Sequence, residues 1–509
     1  MENLYDKILL MKKQKLAPQQ ALIESNINID GQDEVEKILA INTNVDLDGN
    51  IEAVSGECMV NGKIITNLVF STTTGELNSQ SSISPFAYKL TSEEISSGAK
   101  LNVVASVVNT EMDKIQANQL KVINTINIDA VVLKNDEMEY LKDSKEDTFI
   151  KQEEKEIISL KGVNCDKFEE KLEATVKNGV KKILMTNVDC VLREWSTGPN
   201  FISVECELYA KVLYADNQEV SELQTITISK NIKQELEAEG VDKDCDLELL
   251  TCIINEHIMV EVEEGENETK ILINVPLLVC YNKYESTKIL TISDIYSSTE
   301  VLSVQKEDGS YCRNLKPEYF EEKIEGNVVL GDDQPRIDKY LATTNVTLNV
   351  SNSYIKNNVL YIEGIASANV VYLNDELGTL QSVQIEIPYI LDKNVEAGDN
   401  VITQPIVSLF DIDVMVKRGR EIYFDAKAKV FVNLTCENEL LFVSNVTGIG
   451  ELSERSGAIE IYFGKAGESV WDIAKSLKIS SEIIMEQNPE LVDPLDKDQN
   501  IALYFQKIK

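Results

Sequence analysis

The chain repeats itself three times, and a segment that recurs in tandem must fold as a unit able to stack on its own copies. Each copy opens with a short apolar segment that carries a lysine and ends in leucine: VEKIL with Lys37, VKKIL with Lys182, IDKYL with Lys339. These openings read as short helical turns. An apolar-aromatic couple follows at Val69-Phe70, Leu213-Tyr214 and Val371-Tyr372, its aromatic 33, 32 and 33 residues after the lysine. A strand ending at Val132, Val279 or Val432 lies 95, 97 and 93 residues after it. A fourth anchor is partial: Pro85-Phe86 and Pro388-Tyr389 match, but the second copy has Lys230-Asn231.

Within each copy the hydrophobic period is two. In FISVECELYAKVLY the even positions Ile202 to Tyr214 face one way, while Ser203, Glu205, Glu207, Tyr209 and Lys211 face the other. IYFDAKAKVFVNL repeats this, with Ile422 to Leu434 inward and Asp425, Lys427, Lys429 and Asn433 outward. Such half-buried antiparallel strands need a covering layer, so each module is expected to be a small β-sandwich-like or β-rich α+β domain. Asn61-Gly62 reads as a hairpin turn.

The fold class is therefore mainly β or α+β, multidomain. The expected layout is an N-terminal segment 1–20, modules at 21–142, 157–284 and 320–445, and a C-terminal domain at 459–509. The polar run 143–156 reads as a solvated connector, as does EVEEGENE around Gly265. Residues 166–177, with Phe168, Leu172 and Val176 at i, i+4 and i+8, read as an amphipathic packing helix. The stretch 285–319 is an insertion with no readable fold.

Composition narrows the function. Lys and Arg number 49 against 86 Asp and Glu, a formal charge of −37. That balance argues against nucleic acid, where affinity comes from neutralising phosphates. The one histidine, His257, lies in the polar turn NEHIM and removes most histidine-based catalytic and zinc chemistry. The carboxylates alternate onto solvent faces, so neither enzymatic activity nor a metal or cofactor is expected. The nine cysteines have no CxxC spacing and read as reduced core thiols. The opening residues, with Glu2, Asp6 and Lys7 around a very short apolar patch, lack the basic-then-apolar order of a secretory signal, so none is expected, and Leu272 to Tyr281 is far shorter than a bilayer span. A cytoplasmic location without a transmembrane segment is expected.

From Glu460 the texture changes. A strand ends at Phe463, Gly467 turns the chain into a helix with Val470, Trp471, Ile473, Ala474 and Leu477 on its apolar side, Ser480 or Ser481 caps a second helix, and Asn488-Pro489 stops it. A closing strand from Ile501 to Phe505 makes a βααβ unit. The run GESVWDIAKSLKIS, with Asn488, Pro489 and Gln499, resembles a LysM domain; Asp498, where that family commonly has Gly, departs from it.

LysM domains bind N-acetylglucosamine polymers. The resemblance places a groove at Gly467, Glu468, Ser469, Val470, Ile484, Asn488 and Pro489, Asn488 reading equally as a helix stop; Trp471, Ile473, Ala474 and Leu477 read most simply as core. The three modules resemble the spore-coat repeat, and the combination is similar to SipL-type spore morphogenetic proteins of clostridia. That resemblance implies a scaffold in the mother-cell cytoplasm at the forespore surface. Its LysM domain would contact a coat-basement ATPase of the stage IV sporulation protein A type, and its modules would contact other coat proteins or one another. Peptidoglycan or a lipid-linked precursor is the alternative ligand, and a wall hydrolase the remote one.

Overall fold

The computed structural model describes residues 3–30, 34–49, 51, 53–116, 118–217, 223–243, 245–265, 268–332, 334–374, 379–453 and 458–505. Among these the chain is mainly β, in several separate sheets. One pairing scheme occurs three times. In the first unit β3 (Val35–Leu47), β5 (Glu57–Thr72) and β6 (Leu77–Thr91) form an antiparallel meander, with the short β4 (Ala53–Val54) also on β5. The facing sheet is built on the long β8 (Gln119–Asp143), which pairs with β1 (Leu4–Lys15), β2 (Gln19–Asn28) and β7 (Lys100–Gln116).

The second unit has the meander β10 (Lys182–Gly198), β11 (Phe201–Ala215) and β12 (Leu223–Glu237). Its long strand is β15 (Thr269–Ser297), flanked by β9 (Thr148–Val176), β13 (Asp246–Ile253) and β14 (Met259–Glu264). In the third, β18 (Ile337–Lys356), β19 (Val359–Asn374) and β20 (Leu380–Asn394) face the long β22 (Glu421–Glu451) and its partners β16 (Glu300–Asn314), β17 (Glu318–Val329) and β21 (Val401–Lys417). Alternating side chains from both layers fill each core. In the first unit Val60, Ile64 and Leu90 meet Ile126, Ile128 and Val132.

The three openings are strands, each broken by a β-bulge at its leucine. Ile38 pairs with Phe70 and Ala40 with Val69, leaving Leu39 unpaired; Leu184 and Leu341 are skipped in the same way. A bulge advances the side-chain alternation by one residue, which gives a strand the adjacent apolar pair that suggested a helical turn. The extra residue re-aims Ala40, Met185 and Ala342 out of their own sandwiches. There they meet the first members of the three couples, Val69, Leu213 and Val371, in one shared cluster. The aromatic members stay in the cores of their own units.

Contacts between units close into a ring: β3 touches β20, β18 touches β12, and β10 touches β6. Lys37 donates to Gln381 and Lys182 to Asn78, so two repeat lysines reach the start of a neighbour's third meander strand. Where neighbours meet, strand faces expected to be wet are covered. Glu207 and Lys429 form a buried ion pair at 2.5 Å, and Tyr209 lies against Phe410 with ring centroids 5.0 Å apart.

Asn61-Gly62 lies inside β5, and Gly62 pairs with Phe86; Gly364 pairs with Tyr389 in the third unit. The Pro-aromatic anchor therefore lays a ring over a strand glycine that has no side chain to pack. In the second unit the same site pairs Cys206 with Ile232, so glycine and aromatic are absent together.

Segment 166–177 is β-strand up to Val176, paired with β15, because a spacing of four also satisfies period two. Residues 148–156 are the start of β9, and residues 285–314 complete β15 and form β16. EVEEGENE supplies the end of β14 at Glu261 to Glu264. These stretches assemble into three ribbons, β1–β8, β9–β15 and β16–β22. The ribbons pack pairwise around a core that includes Leu10, Ile157, Tyr311 and Phe442. Cys165 and Cys280, opposite each other in β9 and β15 with Cα atoms 4.0 Å apart, form a disulfide, a departure from the all-reduced expectation. No described helix is long and apolar enough to cross a membrane.

Candidate binding site in the C-terminal unit

The last described residues form β23 (Ile459–Gly464), α1 (Val470–Leu477), α2 (Ser481–Gln487) and β24 (Gln499–Tyr504), with β23 and β24 antiparallel. Val470, Ile473, Ala474, Ile484, Leu491, Ile501 and Leu503 are its buried core. Ser469 caps α1: its hydroxyl accepts from the Asp472 amide and donates to the Asp472 carboxylate. Ser480 caps α2.

Two loops meet beside the N-terminus of α1. Gly467, at φ 85°, allows the left-handed turn, and its amide donates to the Leu495 carbonyl at 2.7 Å. Glu468 ties this turn to the sheet, accepting from the Tyr462 hydroxyl at 2.6 Å and the Lys465 amide at 3.1 Å. That bond to the carboxylate, followed by burial, raises the Tyr462 phenol above its ordinary range. Asp498 accepts from the Ala466 amide and Asp493 from the Val470 amide. Carboxylates of the second loop thus hold the backbone on both sides of the Gly467 turn.

The expected groove residues divide by burial. Gly467 and Pro489 are exposed, and Glu468 and Ser469 are half-exposed. Val470 and Ile484 are enclosed in the core and present no side chain to a ligand, a correction that follows from their place on the inner helix faces. Asn488 is also buried. Its amide nitrogen donates to the carbonyls of Ile484 and Ala502, and its oxygen accepts from the Ala502 amide, so it closes α2 onto β24. Gln487 does the same with both backbone groups of Tyr504.

Of the expected core residues, Ile473 and Ala474 are fully buried and Leu477 packs from the edge. Trp471 points outward, onto the end of β15. Its indole donates to the Asp294 carboxylate at 2.9 Å, and its ring meets Tyr296 edge-on at 4.9 Å between centroids. Lys475 contacts the same carboxylate at 2.7 Å and Lys306 at 3.0 Å, while the Tyr296 hydroxyl donates to the Ile479 carbonyl at 2.7 Å. Burial pushes the Asp294 carboxyl up, but the bonds from Lys475, Trp471 and Lys306 outweigh it and hold it down at about 2. Neither Asp294 nor Tyr296 carries a local sequence signal: a bulge between Ile292 and Asp294 breaks the alternation there and sets Ile292 and Ile295 three residues apart.

Three or more His, Cys, Asp or Glu side chains grouped as metal ligands do not occur among the described residues. His257, itself exposed, ends the 3₁₀ turn Asn255–His257. No family model, curated protein or solved structure matches the chain.

Proposed function

We propose that this chain is a non-enzymatic scaffold of the spore coat, with three spore-coat repeat modules followed by a LysM-type domain, acting at the forespore surface on the mother-cell side. The observation that carries the reading is the division of labour between two kinds of surface. The three repeated units bury their apolar-aromatic couples and close into a ring, while the βααβ unit keeps its turn at Gly467–Ser469 and Pro489 open.

In this reading the ring is a broad platform for other coat proteins, and several weak contacts on one rigid body make recruitment steep. The open turn of the C-terminal unit engages the coat-basement ATPase. The net charge of −37 favours basic coat partners over anionic surfaces.

Purified full-length chain and a chain ending at residue 453 would be compared for binding to the basement ATPase and to N-acetylglucosamine oligomers. Binding to the ATPase by the full-length chain alone supports the proposal. Oligomer binding without ATPase binding would instead assign the unit to glycan recognition, and release of muropeptides from peptidoglycan would assign an enzyme.

A further inference from the structure

Helix α1 holds a segment of its own chain as a ligand is held. The segment is Asp294-Ile295-Tyr296 at the end of β15, extended, so that Asp294 and Tyr296 project to one side. From α1 come the Trp471 indole and Lys475 ammonium, both on the Asp294 carboxylate. From the following loop comes the Ile479 carbonyl, which accepts from the Tyr296 hydroxyl, with the Lys478 ammonium 5.9 Å from the centre of the Tyr296 ring. Charge, direction and ring position are each read by a separate group.

We propose that this face of α1 is a recognition site for an extended peptide strand carrying a carboxylate and, two residues on, a tyrosine, and that the chain's own Asp294–Tyr296 occupies it at rest. This face is distinct from the turn at Gly467–Ser469, so it offers a second contact whatever that turn binds. Lys306, on β16 of the ring, also pairs with Asp294 and retains that carboxylate when the helix leaves. A partner strand of the same chemistry would take the place of residues 294–296 on α1 and free the C-terminal unit from the ribbon tip.

The test uses the full chain with Trp195→Phe, which leaves Trp471 as the one indole reporter. Adding Asp294→Lys places a cation against Lys475 and Lys306. Trp471 emission is expected to shift to the red while amide exchange in α2, β23 and β24 stays as in the parent. A synthetic peptide with the sequence of residues 291–298 is then expected to reverse the shift in the variant and to leave the parent unchanged. The same peptide with Asn for Asp should bind about tenfold more weakly or worse, the worth of a hydrogen bond to a charged group. If exchange shows the unit unfolded, Asp294→Asn, which keeps the side-chain shape, replaces Asp294→Lys in the same titration. An unshifted emission, a released Trp471 that responds to neither peptide, or equal response to both would overturn the proposal.

Discussion

Lys13 provides the sharpest test of whether the three units form one body. It lies on β1 of the first unit, fully buried, with its ammonium 2.5 Å from Glu248 on β13 of the second and 2.9 Å from Thr435 on β22 of the third. Glu248 also accepts from the Tyr284 hydroxyl at 2.8 Å and the Asn282 amide at 3.1 Å. Burial, together with that carboxylate, keeps the Tyr284 phenol well above its ordinary range and so a donor. Lys13→Met leaves the Glu248 charge buried with only neutral donors, which costs about 3–5 kcal/mol. Glu248→Gln strands the ammonium in the same way. The double variant removes both charges and should recover a large part of the loss, so the cycle should show coupling of roughly 1.5–3 kcal/mol. Urea unfolding followed by Trp195 and Trp471 emission, in different parts of the chain, measures all four proteins. Both indoles should report one transition in the parent because the units share cores. A cost for Lys13→Met below about 1 kcal/mol with no coupling would refute the shared junction.

Other consequences are specific to single residues. Gly364→Ala would put a Cβ 2.1 Å from the Asn349 carbonyl oxygen and 2.6 Å from the Tyr389 hydroxyl; it should cost about 3 kcal/mol or more in a denaturant melt. Asn488→Ala removes the three hydrogen bonds of a buried amide and should destabilise the βααβ unit by about 2–4 kcal/mol, seen as faster amide exchange across α2 and β24. Asp189 has no ion-pair partner among the described residues, and burial raises its carboxyl to about 7. The folded state therefore keeps a proton that the unfolded chain loses near its ordinary value of 3.8, and stability falls as the pH rises from about 4 to 7. Asp189→Asn should raise stability at pH 8 by at most about 4 kcal/mol and leave it unchanged at pH 4. Asp294 has the opposite sign: its contribution is present above about pH 4 and is lost as the pH falls toward 2. Trp471 emission in the Trp195→Phe chain should thus stay constant from pH 8 to 5 and change only in acid.

Period-two patterning made the long strands legible, and the repeat anchors marked positions that the structure uses twice, once in a core and once at the junction. What stayed hidden follows from properties that a local window lacks. Leu39, Leu184 and Leu341 looked helical because a bulge and a helical turn both bring neighbouring apolar residues to one face. Phe168, Leu172 and Val176 fit either period, and pairing with a strand about a hundred residues away settles the matter. Residues 148–156 look solvated because the ribbons bury little on their outer faces, whereas Ile157 and Ile158 reach the shared cores. Glu207 and Lys429 read as surface charges because the alternation within one strand carries no trace of the neighbouring unit that covers them. In the C-terminal unit the motif located the turn, but Asn488 proved to be a backbone bridge and Trp471 an interface residue, distinctions that depend on which way a side chain points.

Under the proposed function, the C-terminal unit directs the chain to the forespore surface. Fluorescent fusions of the full chain and of a chain ending at residue 453, followed in sporulating cells, test it most directly. The account predicts a full-length ring around the forespore and a diffuse mother-cell signal for the truncated chain. A truncated chain that still encircles the forespore, or a full-length chain at the outer wall, would contradict it.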